Sequence, residues 1–256
     1  MAYTLITGAS SGIGEQFARD LAAKKTNLIL VARSKDKLNE LAEQFRKDHG
    51  IDVQVIAQDL SRPEGPDEVL KACQERHLDV DTLINNAGVL NNKPFEKMDA
   101  ASILDLVMVN IYALTKLTYL FLPELKKCKG RIMNVASVAG FQPIPFMNVY
   151  SATKAYVLSF SEALAEELNG TGVSVTIFAP GVVETPGVIR TTRGEEPVNF
   201  RLPITTTDKV SEPALKGLEN RDEWVIPGFL NNFVIFTNRL TPRKLVVKAT
   251  RFMMGH

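Results

Sequence analysis

Residues 3–14 read Tyr3-Thr4-Leu5-Ile6-Thr7-Gly8-Ala9-Ser10-Ser11-Gly12-Ile13-Gly14. A run of strand-forming residues enters a glycine-rich turn, and an amphipathic stretch opens at Gly12. A strand that turns so sharply into a helix needs positions without a Cβ. The first turn of such a helix presents unpaired N–H groups and a partial positive charge, which suit a phosphate. Glycines also serve turn geometry alone, so this run by itself leaves both readings open. The pattern that follows it decides between folds.

Strand-like runs recur at 3–7, 27–32, 53–57, 82–85, 131–136, 173–178 and 223–226. Amphipathic stretches such as 12–23, 35–47 and 150–169 lie between them. Most of the strand-like runs are continuously apolar, as parallel strands covered on both faces require. Repeated β-α-β units with right-handed crossovers imply an α/β fold. It is a Rossmann-like, doubly wound parallel sheet of about seven strands with helices on both faces. No Pro/Gly/Ser linker divides the chain, so residues 1–256 are expected to form one domain. Two segments depart from the alternation. Residues 187–210 are polar and proline-containing, and are expected to be a substrate loop over the site, at about 186–210. The tail, at about 229–256, is apolar and basic.

Composition narrows the function. Hydrophobic residues make up 45% of the chain, enough for a sizeable core, and a net charge of +1 gives no reason to expect nucleic acid as a partner. Cys73 and Cys128 are far apart, and His49, His77 and His256 form no cluster, so no metal site is expected. Met1-Ala2 leads straight into the first strand, leaving no room for a secretory signal, and a cytoplasmic protein is expected. No uninterrupted run of apolar residues has the length of a membrane span. The richest stretch, 103–122, is broken by Asp105, Asn110 and Lys116 and reads as a buried helix.

Tyr150-Ser151-Ala152-Thr153-Lys154 places a phenol and an ammonium four residues apart, on one face of a helix. A free phenol titrates near ~10 and is a poor acid or base at neutral pH. A cation at about 4 Å in a medium of effective dielectric near 20 favours the phenolate by roughly 4 kcal/mol, enough to bring it toward neutrality, with desolvation opposing. Ser137 follows the fifth strand-like run, at the carboxyl edge where such sheets bind ligands. Its hydroxyl can hold a substrate oxygen against the phenol. Asn110 stands in Val107-Met108-Val109-Asn110, a polar residue among apolar ones, as a site residue or as a satisfied helix Asn.

The spacing Gly8-x-x-x-Gly12-x-Gly14, taken with Asn85-Asn86-Ala87-Gly88, Asn110, Ser137 and Tyr150-x-x-x-Lys154, resembles the short-chain dehydrogenase/reductase family over residues 3–186. The resemblance closes on Pro180-Gly181-Val182-Val183-Glu184-Thr185. It implies hydride transfer between a nicotinamide dinucleotide and a carbonyl or alcohol, with Asn110, Ser137, Tyr150 and Lys154 as the catalytic group. Tyr150 would donate the proton and Ser137 would steady the oxygen. Lys154 would tune Tyr150 and hold the nicotinamide ribose, and Asn110 would complete a proton relay through water. The cofactor would be bound by Gly8, Ser10, Ser11, Gly12, Ile13 and Gly14 at its phosphates. Asp59, Leu60, Asn86, Ala87 and Gly88 would meet the adenosine side. Pro180, Gly181, Val183 and Thr185 would hold the nicotinamide. Without the resemblance, Asp59 reads equally as a cap and the Asn-Asn-Ala-Gly run as a turn. The family also implies a homo-oligomer.

A carboxylate at the end of the second strand would bind the ribose 2′-hydroxyl of NAD. Ala32-Arg33 stands there instead, with Ser34 and Lys37 nearby. Arg33 and Lys37 favour the 2′-phosphate, hence NADP(H) over NAD(H), although Ser11 stands where a further basic residue would have helped. Ser34 serves equally as the N-cap of the next helix.

Phe141, Pro143, Ile144, Pro145, Phe146 and Met147, between Ser137 and Tyr150, suggest a hydrophobic ketone or aldehyde, or else loop packing. In the tail, Lys244, Lys248 and Arg251 share one helical stripe and Leu245, Ala249 and Phe252 another. Such a segment packs on its own protein or a sister subunit, or rests weakly on a membrane surface. The leading expectation is an NADP(H)-dependent carbonyl reductase. The alternatives are an NAD-dependent alcohol dehydrogenase and a non-catalytic NADPH-binding regulator or scaffold.

Overall fold

The computed structural model describes residues 2–193 and 203–254. The strands are β1 (Ala2–Thr7), β2 (Leu28–Ala32), β3 (Val53–Ala57), β4 (Asp79–Asn85), β5 (Arg131–Val135), β6 (Ser174–Phe178) and β7 (Trp224–Val225). They form one parallel sheet in the order β3-β2-β1-β4-β5-β6-β7. The helices are α1 (Gly12–Ala23), α2 (Lys35–His49), α3 (Gly65–Glu75), α4 (Ala100–Val107), α5 (Leu114–Cys128), α6 (Asn148–Glu167), α7 (Pro186–Arg193), α8 (Thr207–Asn220), α9 (Phe229–Leu240) and α10 (Arg243–Met253).

The apolar runs have a simple cause. Ile6, Ile84 and Met133 belong to a core shared with α1, α2 and α8, whereas their neighbours Leu5, Leu83 and Ile132 belong to a core shared with α3, α5 and α6. Successive strand residues point to opposite faces, so a strand sandwiched between helices must be apolar at every position. Phe17 of α1 meets Phe178 of β6 edge-on at 5.9 Å between ring centres, which ties the first helix to a strand far away in the chain. The order of connection reverses beside β1, which pairs with β2 on one side and β4 on the other. In such a sheet the crevice lies outside the carboxyl ends at that reversal.

The stretch Ala100–Cys128 is long and apolar enough to cross a membrane by length and composition. Here Leu117, Phe121 and Leu125 lie in the core against the sheet while Leu104, Val107 and Tyr119 are exposed, so the buried helix expected at 103–122 is buried on one face only. The expected loop at 187–210 is corrected at both ends. Pro186–Arg193 is helical, and α8 already begins at Thr207. Thr185 explains the first helix: its Oγ1 accepts from Val188 N at 3.3 Å and its carbonyl from Ile189 N at 2.8 Å. Residues 194–202 of that segment lie outside the described residues.

Candidate active site

The carboxyl ends of the strands open on a cleft of about 470 Å³. At its floor, Thr7 fastens the two turns that follow β1 and β4. Its Oγ1 accepts from the backbone N–H of Asn86 and of Ala87, each at 2.9 Å, while Asn86 Nδ2 donates to Thr7 O at 2.8 Å. Gly14 sits where a Cβ would come within 2.4 Å of both Gly8 O and Asn86 Nδ2. Gly8, Ser10, Ser11, Gly12 and Ile13 line the cleft; Gly14 lies behind them, a packing glycine and not a lining one. Ser11 does not cap α1 with its side chain, so the N–H groups of the first turn are left to whatever enters.

Arg33, Lys37, Asp59 and Leu60 line one arm of the cleft, with Ser34 and Ser61. Ser34 occupies the N-cap position of α2 without a side-chain cap bond. Asp59 Oδ1 accepts from Ser61 N at 2.9 Å and from its hydroxyl at 2.8 Å. Burial raises the Asp59 pKa, but these bonds and the positive charges of Arg33 and Arg62 outweigh it and leave the carboxyl below its ordinary range. Asn86, Ala87 and Gly88 border the cleft, but Asn85 turns the other way. Its Nδ2 donates to Thr118 Oγ1 and Asn134 Oδ1, each at 2.9 Å, within the sheet-to-helix layer.

The cleft also gathers Ser137, Tyr150 and Lys154 with Pro180, Gly181, Val183 and Thr185, and Val138 N donates to Pro180 O at 3.0 Å, which seats the turn after β6 beside Ser137. Ser137 opens a short 3-10 turn, Val138–Phe141, and its Oγ accepts from Ala139 N at 3.1 Å. That turn packs on α6 at Gly140, where a Cβ would lie 2.7 Å from the Lys154 backbone carbonyl, so the serine is held in register with the lysine. Lys154 is buried and its Nζ donates to Val135 O at 2.8 Å. Burial lowers its pKa to about 8. Tyr150 is partly open to the cleft, yet the protein around its phenol desolvates it and raises its pKa, while a hydrogen bond with Ser137 works the other way. The expected lowering of the phenol by Lys154 is therefore corrected, because desolvation is the larger effect here.

Asn110 lies in a π-helical segment, Met108–Ala113, between α4 and α5, and does not line the cleft. Its Oδ1 accepts from Val89 N at 2.8 Å, and its Nδ2 donates to Val89 O and Thr153 Oγ1, each at 3.0 Å. The side chain is thus a clamp between the turn after β4 and α6. A Cβ on Gly88 would lie 3.4 Å from Asn110 Oδ1 and 3.7 Å from Lys154 Nζ, so the two side chains share the back of that turn. Among the described residues no group of His, Cys, Asp and Glu is placed to hold a metal, and His256 lies outside them.

The short chain dehydrogenase family model matches residues 2–196 of this chain. The chain belongs to the short-chain dehydrogenase family. A very-long-chain 3-oxoacyl-CoA reductase of Kluyveromyces lactis is 36% identical over 184 residues, covering 69% of this chain and 53% of that protein. An 11-beta-hydroxysteroid dehydrogenase of Pinus massoniana is 34% identical over 245 residues, 91% of this chain and 68% of that one. The chain thus spans about half the length of the yeast reductase. A short-chain dehydrogenase from Sphingobium yanoikuyae in complex with NADPH superposes with a TM-score of 0.82 at 33% identity, covering 94% of each chain.

Beside Ser137 and Tyr150 the chain has a second, apolar cavity of about 90 Å³. Of the six loop residues expected to border a substrate, Ile144 and Met147 line it. Phe141 instead packs on Trp224, at 5.8 Å between ring centres, and Phe146 joins the cluster around Met147 and Met254. Thr250, Met253 and Met254 of the tail complete the wall. Sequence reasoning missed them because it assigned the wrong face of α10. Val246, Thr250 and Met254 face inward, and Leu245, Ala249 and Phe252 are exposed together with Lys244, Lys248 and Arg251. Thr250 Oγ1 donates to Pro143 O at 2.9 Å and anchors this packing.

Proposed function

We propose that this chain is an NADP(H)-dependent oxidoreductase that reduces a hydrophobic ketone or aldehyde to an alcohol. One observation carries the reading: Ser137 and Tyr150 line both the large cleft and the apolar cavity, with Lys154 on the cleft side. The residues suit the cofactor. The uncapped first turn of α1 offers N–H groups to a pyrophosphate, and Arg33 and Lys37 line the far arm where a 2′-phosphate would lie. The Lys154 ammonium has three donors, of which Val135 O takes one, leaving donors for ribose hydroxyls.

When bound, the reduced nicotinamide supplies the hydride. Tyr150 carries the proton for the substrate oxygen, and a raised phenol pKa keeps that proton in place at neutral pH. Ser137 holds the same oxygen through its hydroxyl. Lys154 holds the ribose and adds positive charge as negative charge develops on the oxygen. Asn110 keeps Val89 and Thr153, and with them the turn and α6, at a fixed separation. The apolar wall of Ile144, Met147, Val182 and Met254 favours an acyl chain or fused-ring ketone. The oxoacyl-CoA and hydroxysteroid substrates named for the two relatives support that class. A second copy of this chain is the proposed partner for the exposed Leu104, Val107, Tyr119 and Tyr156 of α4, α5 and α6, testable by light scattering.

Initial rates with NADPH and with NADH, across ketones of increasing apolar size, test the reading. Turnover that rises with apolar size and favours NADPH is expected. A chain that binds NADPH but turns over none of them would favour the regulator reading, and a preference for NADH would favour the alcohol dehydrogenase.

A further inference from the structure

Helix α9 turns most of its large apolar side chains outward. Its asparagines are bound to the protein: Asn231 Nδ2 donates to Pro227 O at 2.6 Å, Asn232 Nδ2 to Ile226 O at 2.9 Å, and Asn238 Nδ2 to Gln142 Oε1. Ile235 is buried and Val234 partly so, but the other large apolar side chains face away. Phe229 is 86% exposed, Phe233 53%, Phe236 62% and Leu240 73%, with Leu230 exposed beside them. Spacings of four, three and four residues put those four on one stripe. Phe229 and Phe233 stack at 6.4 Å between ring centres and form an aromatic edge. Single exposed apolar residues are ordinary, but an aromatic stripe on one helix marks an interaction surface.

Charge identifies the partner. From residue 224 to the end of the chain there is no Asp or Glu, while Arg239, Arg243, Lys244, Lys248 and Arg251 bring five cations. A second copy docked on this surface through a two-fold axis would set those cations against their own images. A surface of anionic lipid meets both features, taking the rings at the acyl boundary and the cations among the head groups.

We propose that α9, with the cations of α10, docks this protein on an anionic lipid surface. The inner face of α10 supplies Thr250, Met253 and Met254 to the apolar cavity, so the docked helices border the compartment in which an apolar substrate would dissolve. This last point rests on the carbonyl-reductase reading; the docking does not, and vesicle binding is measured without turnover.

The test is sedimentation of the full chain with vesicles of phosphatidylcholine containing about one third phosphatidylglycerol, and with pure phosphatidylcholine vesicles. The wild type is expected to pellet with the anionic vesicles, to be released as salt is raised, and to stay in solution with the neutral ones. The doubly substituted Phe233→Ser/Phe236→Ser and Lys244→Glu/Lys248→Glu proteins are each expected to bind at least about tenfold more weakly. Unchanged unfolding curves and NADPH affinity would show that both are folded. A wild type that stays in solution with anionic vesicles overturns the proposal, as does a folded Phe233→Ser/Phe236→Ser protein that pellets like the wild type. A wild-type dimer lost in that variant, without vesicle binding, would assign the stripe to a second copy instead.

Discussion

Lys154 Nζ lies 5.9 Å from the centre of the Tyr150 ring and gives its hydrogen bond to the carbonyl of Val135. One helical turn brings the two groups to the same side of α6, but burial acts on both. It raises the phenol and lowers the ammonium to about 8. Under the proposed reaction, a tyrosine that keeps its proton at neutral pH is ready to donate it, and the lysine's part shifts toward holding and stabilising.

The lysine has a measurable consequence for stability. Its folded pKa of about 8 lies below the ordinary 10.5, so the penalty for burying the charge is fully present below about pH 8. It is relieved as pH rises from about 8 toward 10.5, where the unfolded chain binds more protons. Urea unfolding of the cofactor-free wild type should therefore gain stability over that window, by up to about 3 kcal/mol relative to Lys154→Met. The raised Tyr150 pKa opposes the gain above about pH 10 in both proteins. Parallel curves for the two proteins would show that Lys154 is not held charged and desolvated.

Tyr150→Phe removes one hydroxyl and leaves the ring that packs beside Met147 and Met254. Loss of a general acid is expected to lower kcat by roughly 10²- to 10⁴-fold. NADPH affinity, followed by fluorescence titration, should change little, because the phenol acts in the chemical step. Wild-type turnover in this variant would remove Tyr150 from proton transfer.

Arg33→Asp replaces a cation in the far arm of the cleft with the carboxylate that suits a ribose 2′-hydroxyl. Losing a charge-assisted bond of about 1.5–3 kcal/mol should weaken NADPH roughly 10- to 100-fold and leave NADH bound as well or better. Separate Kd values for the two dinucleotides decide it. An unchanged ratio would exclude Arg33 from cofactor choice.

Gly14→Ala puts a methyl group within 2.4 Å of Gly8 O and Asn86 Nδ2, backbone on one side and a bonded amide on the other. Neither can yield cheaply, so a loss of about 1–3 kcal/mol in urea unfolding is expected. The displaced turn should also weaken NADPH. A variant as stable as the wild type would mean that the Asn86 side chain is free to move.

The sheet was legible because parallel strands between two helical layers leave uninterrupted apolar runs, as Leu28-Ile29-Leu30-Val31 shows. Most candidate site residues were legible because turns after successive strands must converge at one edge. The limits lay in contacts made at long range. Asn110 reads as a polar residue in a helix, and nothing local announces its clamp on Val89 or the π-helical segment around it. In α10 two apolar stripes lie one residue apart, and hydrophobicity does not choose between them. The choice falls to Thr250, whose partner carbonyl, Pro143, is 107 residues earlier. In α9 the pattern misleads, since Asn231 and Asn238 are bonded against the protein while Phe229, Phe233 and Phe236 are exposed.

The inward stripe of α10 makes a last expectation about specificity. Met254 is buried and packs with Met147, Ile144, Phe146, Leu90 and Tyr150 at the wall of the apolar cavity. Met254→Ala should lower stability by about 2–5 kcal/mol, since the site loses most of a buried side chain. It should also widen the cavity next to the phenol. Under the proposed reaction, kcat/KM for the bulkiest ketones should rise roughly tenfold relative to the smallest, the scale on which apolar pockets discriminate. NADPH affinity should hold, because Met254 lines the smaller cavity and not the dinucleotide cleft. A variant that loses stability while keeping the wild-type order of ketone preference would show that α10 braces the site without shaping what enters it.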